Sequence, residues 1–222
     1  MPRNLELQYF FDPLCGWCYA SAPSLAGLAA KYPNELRMLP SGLFFGSRSI
    51  SSIADHAWRN DQRIAGLTGQ SFSQAYHQQV LLAPQGVFSS AAATLALQAL
   101  GEINAELEPR FLHQVQIARY VDGRDTSEAL EAAKVAVQVA GESNIPLSVD
   151  ELAERLQSDI GLRERTVTRM EASQRRMQRL GIQGVPQLVA VIDGQPTPIS
   201  SEDLYHGPDR LPPAIDDLIA AS

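Results

Sequence analysis

Cys15-Gly16-Trp17-Cys18 constrains this chain more than any other stretch, because it sits between an apolar strand pattern and an apolar helix pattern. Leu5, Leu7 and Tyr9 alternate with Glu6 and Gln8, then Phe10 and Phe11 follow without a break, as in a strand entering a buried sheet. Asp12-Pro13-Leu14 reads as a turn. From Cys15 the period changes, and Cys18, Ala22, Leu25, Ala26 and Ala29 share one helical face. Pro23 predicts a kink in that helix, since it lacks an N–H and crowds the preceding turn. These are the chain's only two cysteines. Two thiols on a first helical turn can close and open a small ring, and the positive end of a helix favours a sulfur anion.

Far downstream, Gly184-Val185-Pro186 precedes a second strand-like run, Gln187–Ile192. A strand, a CxxC at a helix start and an X-Pro before a later strand together point to thiol–disulfide exchange. A closed zinc site needs four ligands, and the chain has no second CxxC or paired-histidine motif, so no metal is expected. His56, His77, His113 and His206 stand apart in sequence. The net charge of −7 argues against a general affinity for nucleic acid or an anionic membrane. No apolar run is long enough to span a bilayer, and the N-terminus lacks the features of a secretory signal. The expected location is cytoplasmic, where a lone CxxC is more often catalytic than a structural staple.

A second strand is expected over Glu35–Leu39. From about Ser47 to Ser158 the pattern is helix after helix, with no convincing strand. Gly101 reads as the C-cap of an alanine-rich helix, Ser90–Leu100. Pro109 suits the first position of the next helix. Asp125 and Glu128 resemble a capping arrangement for the one after, Ser127–Gly141. Phe72, Tyr76 and Phe88, with Trp58, have spacings that fit a buried core, or the lining of a groove beside the cysteines. Ile160–Leu180 reads as one long helix. Its arginines Arg163, Arg165, Arg169, Arg175, Arg176 and Arg179 make a solvated basic face, or a surface for an acidic partner. Asp193-Gly194 is a hairpin signal, and Pro196 and Pro198 place the following strand at a sheet edge. Removing the helical block leaves β-α-β-α-β-β-α, the thioredoxin order. The expected architecture is therefore α/β, a thioredoxin fold with an inserted all-helical domain. The segments are 1–46 and 159–222 for the thioredoxin-like parts and 47–158 for the insertion.

With Phe11–Tyr19, Arg119–Gly123 and Gly184–Pro186 in view, the chain resembles the DsbA-like thioredoxin-fold family, and within it the cytosolic FrnE-like branch. The resemblance implies a protein-disulfide oxidoreductase or isomerase acting on protein or small-molecule disulfides. It implies no cofactor beyond the thiols, with glutathione a candidate redox partner. By the same resemblance, Cys15 is the solvent-facing nucleophile and Cys18 the buried resolving thiol. Gly16 and Trp17 are the dipeptide that tunes redox poise. Pro186 is the cis-proline facing the motif, and Val185 offers its backbone to an extended substrate. Two departures from the family pattern stand out. Tyr9 occupies the position where many thioredoxin-fold enzymes bury a carboxylate, which leaves Asp12 as a candidate proton relay or a mere turn former. Trp17 replaces the dipeptide histidine of the periplasmic oxidant, so a potential between about −270 and about −120 mV is expected. A kappa-class glutathione transferase or 2-hydroxychromene-2-carboxylate isomerase-like enzyme is the alternative within the same fold. A redox-switched partner-binding protein is the alternative outside catalysis. The oligomeric state is not legible.

Overall fold

A computed structural model describes residues 4–221. Strand β1 (Leu5–Phe11) runs into two short helices, α1 (Gly16–Ala20) and α2 (Ala22–Lys31). The kink expected at Pro23 is a full break at Ser21. Pro23 then lies in the first turn of α2, where its missing N–H has no intrahelical partner to lose. Strand β2 (Leu36–Pro40) follows, one residue later than expected at each end.

The insertion begins with a two-residue strand, β3 (Arg48–Ser49), and helix α3 (Ala54–Thr68). A π-helical turn over Tyr76–Leu81 leads to another two-residue strand, β4 (Val87–Phe88), which pairs antiparallel with β3. The expectation of no strand in this region is thus corrected: a minimal hairpin-like bridge closes its base. Three helices follow, α4 (Ala91–Gly101), α5 (Leu107–Tyr120) and α6 (Ala129–Gly141). Gly101 is the last helical residue rather than a left-handed cap. It is a glycine for space, since a β-carbon there would overlap the Glu108 carboxylate. Pro109 sits two residues inside α5, still in its first turn. Asp125 does not cap α6. It accepts from the Ser127 amide and from Arg119, while Glu128 occupies the cap position. Helix α7 (Val149–Ser158) is capped by Ser148, and α8 (Ile160–Leu180) by Asp159, whose carboxylate accepts from the Leu162 amide.

The chain closes with β5 (Gln187–Ile192), β6 (Gln195–Pro198) and α9 (Leu211–Ala221). The main sheet has the order β2-β1-β5-β6, with β2 parallel to β1 and β5 antiparallel. Asp193 and Gly194 both take positive φ, as a two-residue hairpin turn requires, and β6 with its two prolines is an edge strand.

Two apolar clusters meet at the start of α1. The larger joins Leu7, Tyr9 and Phe11 of β1 and Leu188 of β5 to the alanine-rich faces of α4 and α6, whose small side chains allow close helix approach. The smaller is aromatic and holds Tyr19, Phe72, Tyr76, Phe88 and Tyr120. Phe72, Tyr76 and Phe88 are therefore core, not the wall of a groove. Tyr120 stands within 5.1 Å of Tyr19, 4.9 Å of Phe72 and 5.0 Å of Tyr76, ring centre to ring centre. Trp58 is only partly buried and stacks on His77 at 4.3 Å.

The basic face of α8 is not simply solvated. Arg169 grips both oxygens of Glu108 at 2.7 and 2.6 Å and donates to the Met38 carbonyl at 2.6 Å. Arg165 pairs with Glu102, and Arg176 donates to Gln8. Two of the six arginines thus find acidic partners in the insertion, while Arg163, Arg165, Arg175 and Arg179 stay exposed.

Candidate active site

Cys15 occupies the N-cap position of α1 in extended conformation, with φ −85° and ψ 116°. Its amide donates to the Asp12 carbonyl at 3.1 Å, and its own carbonyl accepts from Tyr19 at 3.0 Å. This turn sets the sulfur toward β5, where the thiol donates to the Val185 carbonyl at 3.5 Å. The Val185–Pro186 bond is cis. Cys15 keeps only 7% of its surface and Cys18 none, so the first sulfur is the more accessible of the two. Cys15 is nonetheless far less solvent-facing than the family resemblance implies. It faces the Val185 backbone across a crevice instead of projecting into water. Beside it, Trp17 packs against Tyr205 at 5.3 Å, and the Tyr205 phenol is pushed up by burial and by the nearness of both sulfurs.

Cys18 lies inside the larger core cluster. Burial pushes its thiol up, and so do the hydrogen bond and charge of Cys15. The Asp12 backbone amide works in the opposite direction by favouring the Cys18 thiolate, while the Asp12 carboxylate opposes it. Asp12 is fully buried. One oxygen accepts from the Leu14 amide at 3.0 Å, and the other from the Phe44 amide at 2.9 Å and the Ser90 hydroxyl at 3.1 Å. Burial raises its pKa and these three donors pull it back. The two sequence readings of Asp12 are thus compatible. It forms the turn, and it is also a buried carboxylate beside the resolving sulfur, stitched to Phe44 just before the insertion and to Ser90 within it. Tyr9 bonds to the Ser21 hydroxyl at 2.7 Å, and that hydroxyl donates to the Cys18 carbonyl at 3.0 Å. Burial raises the Tyr9 phenol, so it is a fixed neutral donor in the place of the missing carboxylate.

All the candidate residues therefore come together: Cys15, Gly16, Trp17 and Cys18 on α1, Asp12 beneath, and Val185 and Pro186 across. Two neighbours escaped sequence reasoning. Asp61 of α3 is buried, and its Oδ1 would lie 2.6 Å from a β-carbon added at Gly16. A signal existed, since Asp61 falls on the apolar stripe between Ala57 and Ile64. Tyr205 carried no signal, because it belongs to a short 3₁₀ turn, Glu202–Tyr205, with no motif around it. Among the described residues, no three His, Cys, Asp or Glu side chains gather as a metal site would require. No helix among them is long and apolar enough to cross a membrane.

Residues 6–213 match the model of the DSBA-like thioredoxin domain. Among solved structures, the chain is similar to the cytosolic disulfide reductase DsbM from Pseudomonas aeruginosa. Identity is 28% over 98% of this chain and 100% of that one, with a TM-score of 0.82. It is also similar to the structure of that reductase with GSH, at 27% identity over 97% and 99% of the two chains, with a TM-score of 0.79. A structure from Nitrosomonas europaea, 21% identical over 98% of each chain, shares the fold at a TM-score of 0.72. No curated protein sequence matches the chain.

Proposed function

The chain belongs to the DSBA-like thioredoxin-domain family, and from that premise we propose that it is a thiol:disulfide oxidoreductase working through Cys15 and Cys18. The observation that carries the reading is the placement of one sulfur against the Val185 backbone with a second, fully buried sulfur behind it.

In the reducing direction, the Cys15 thiolate attacks one sulfur of a substrate disulfide. That S–S bond breaks, a mixed disulfide forms, and the departing thiolate takes up a proton. Cys18 then loses its proton and attacks the Cys15 sulfur. The second substrate thiol leaves, and the enzyme holds a Cys15–Cys18 disulfide while the substrate has gained two electrons. The same steps in reverse oxidise a dithiol. Because burial holds Cys18 as a thiol, the second step needs a proton acceptor. Asp12 is the relay in this reading, acting through water on the Cys18 sulfur, whose thiolate its backbone amide favours. The Val185 carbonyl, which Cys15 engages in the resting protein, becomes free to receive an extended substrate when the sulfur turns to attack. Gly16 and Trp17 tune the exchange, the first by leaving room for Asp61 and the second by packing with Tyr205 over the crevice.

Glutathione fits the role of reductant. Two molecules would return the Cys15–Cys18 disulfide to dithiol and leave as glutathione disulfide. The similarity to a cytosolic disulfide reductase solved with GSH supports that partner and a cytoplasmic location. Direct substrates would be small or protein disulfides.

Cys18→Ser tests the reading. The variant should accumulate a mixed disulfide on Cys15, visible as an added mass removable by dithiothreitol, and lose turnover by about a hundredfold or more. Full activity with glutathione conjugation substrates and no trapped adduct would instead establish a glutathione-transferase chemistry on the same fold. Client binding that persists without either cysteine would establish a binding protein.

A further inference from the structure

Gly16 faces a carboxylate. A β-carbon there would lie 2.6 Å from Asp61 Oδ1 and 3.0 Å from the Ile64 methyl, so helix α3 of the insertion packs directly on the dipeptide between the two cysteines. Asp61 is 4% exposed, and its Oδ2 accepts from the Tyr76 hydroxyl at 3.0 Å. Tyr76 in turn lies under the Arg119 guanidinium, 5.7 Å from ring centre to charge. Arg119 does not pair with Asp61. It is held by Asp125 at 3.2 Å, and its Nε and Nη2 have no hydrogen-bond partner. The groups facing Asp61 are thus two phenols, Tyr76 and Tyr120, the Arg119 guanidinium, which Asp125 holds through one nitrogen only, and the start of α1.

We propose that Asp61 is a positioning residue through which the inserted helices control the reactivity of Cys15: its charge, packed against the residue that follows that cysteine, opposes formation of the thiolate. The inference rests on Cys15 being the nucleophile, as argued above. A buried carboxylate with a single neutral donor resists ionisation. Asp61 is pushed up to about 7 by burial, against the pull of Tyr76 and Arg119. Below that pH it adds no charge beside the motif. Above it an anion stands against Gly16, on the turn that carries the Cys15 sulfur. The shape also explains the glycine, since any side chain at position 16 would displace the carboxylate.

The test is the alkylation rate of Cys15 by iodoacetamide between pH 5 and 9. It uses the full chain in a Cys18→Ser background, with and without Asp61→Asn. The rate with Asp61 present should rise with pH and bend downward near pH 7. Asp61→Asn should remove the bend and react about tenfold faster at pH 8. Tyr76→Phe, which removes the hydrogen bond that favours the Asp61 anion, should move the bend to higher pH. Superimposable profiles for Asp61→Asn and its parent would overturn the proposal. Should Asp61→Asn fail to fold, an unmoved bend in Tyr76→Phe would overturn it. Disulfide exchange by the unmodified protein is assayed separately. Its absence would sink the catalytic reading, while the alkylation profiles still decide the role of Asp61.

Discussion

Arg169→Leu isolates what joins the insertion to the thioredoxin sheet. Arg169 makes two parallel bonds to Glu108, one to the Met38 carbonyl of β2 and one to Gln98 at 3.2 Å. Glu108 is 4% exposed, and burial raises its carboxyl even against the downward pull of Arg169. Removing the guanidinium strands that carboxylate, at a cost of about 3–5 kcal/mol for a buried pair broken from one side. The bonds to Met38 and Gln98 add about 1 kcal/mol each at any pH. With no partner, Glu108 in the folded variant titrates still further above its unfolded value. Its contribution to stability is then present in acid and lost as pH rises, so the variant should be most damaged at pH 8 and partly rescued at pH 5. Against a typical domain stability of about 5–15 kcal/mol, the loss at pH 8 is large. Urea denaturation at the two pH values measures it. Arg169→Leu should lose about 5 kcal/mol at pH 8 and at least about 1–2 kcal/mol less at pH 5. Arg169→Leu/Glu108→Leu should recover most of the difference, because no charge is left buried. Equal losses at both pH values, or a double variant as unstable as the single, would refute the reasoning.

Gly16→Ala should cost about 1–3 kcal/mol in chemical denaturation, with that cost shrinking in an Asp61→Ala background, since the added methyl meets Asp61 and Ile64. Asp12→Asn should slow resolution of the mixed disulfide by about tenfold to a hundredfold in stopped-flow, while leaving Cys15 alkylation within about twofold. Asp61 titrates at about 7 folded and near the ordinary carboxylate value unfolded, so the stability it allows below pH 4 is lost progressively up to pH 7. Asp61→Asn should therefore flatten the decline in thermal stability between pH 5 and pH 8, and an unchanged slope would contradict the assignment.

The fold was legible wherever local pattern and tertiary environment agree. The alternation of Leu5 to Tyr9, the continuous run Leu188–Ile192 and the turn at Asp193-Gly194 each encode their own element. The stripe and cap of Ile160–Leu180 place α8 to the residue. What failed to read was anything set by a distant partner. Gly101 looks like a helix stop, yet it is small because Glu108 occupies the space beside it. Asp125 has the spacing of a cap, but Arg119 and the Ser127 amide claim it. The arginines of α8 have the periodicity of a wet face and four of them are exposed, but Glu102, just past α4, and Glu108 of α5 hold Arg165 and Arg169.

The site divides along the same line. Its chemistry is local: two thiols three residues apart on a helix start, with an X-Pro ahead of a strand, are visible in the sequence. The electrostatics that set how the thiols behave are not local. Asp12 could be read as a turn residue, but its bonds to Phe44 and Ser90, which make it a buried carboxylate beside Cys18, come from residues 32 and 78 positions away. Gly16 could be read as half of a tunable dipeptide, but the reason for glycine lies on α3. A helical insertion placed between the second strand and the long helix therefore does more than enlarge the core. It supplies Asp61 to one side of the motif and Ser90, with Phe44 from just before it, to hold Asp12 on the other. If both carboxylates act as argued, exchanging the CGWC dipeptide alone would be a poor way to retune this protein, because a new side chain at position 16 would disturb the charge that the insertion holds there. The two changes would have to be made together, and a Gly16 substitution should alter Cys15 alkylation much less once Asp61 is neutral.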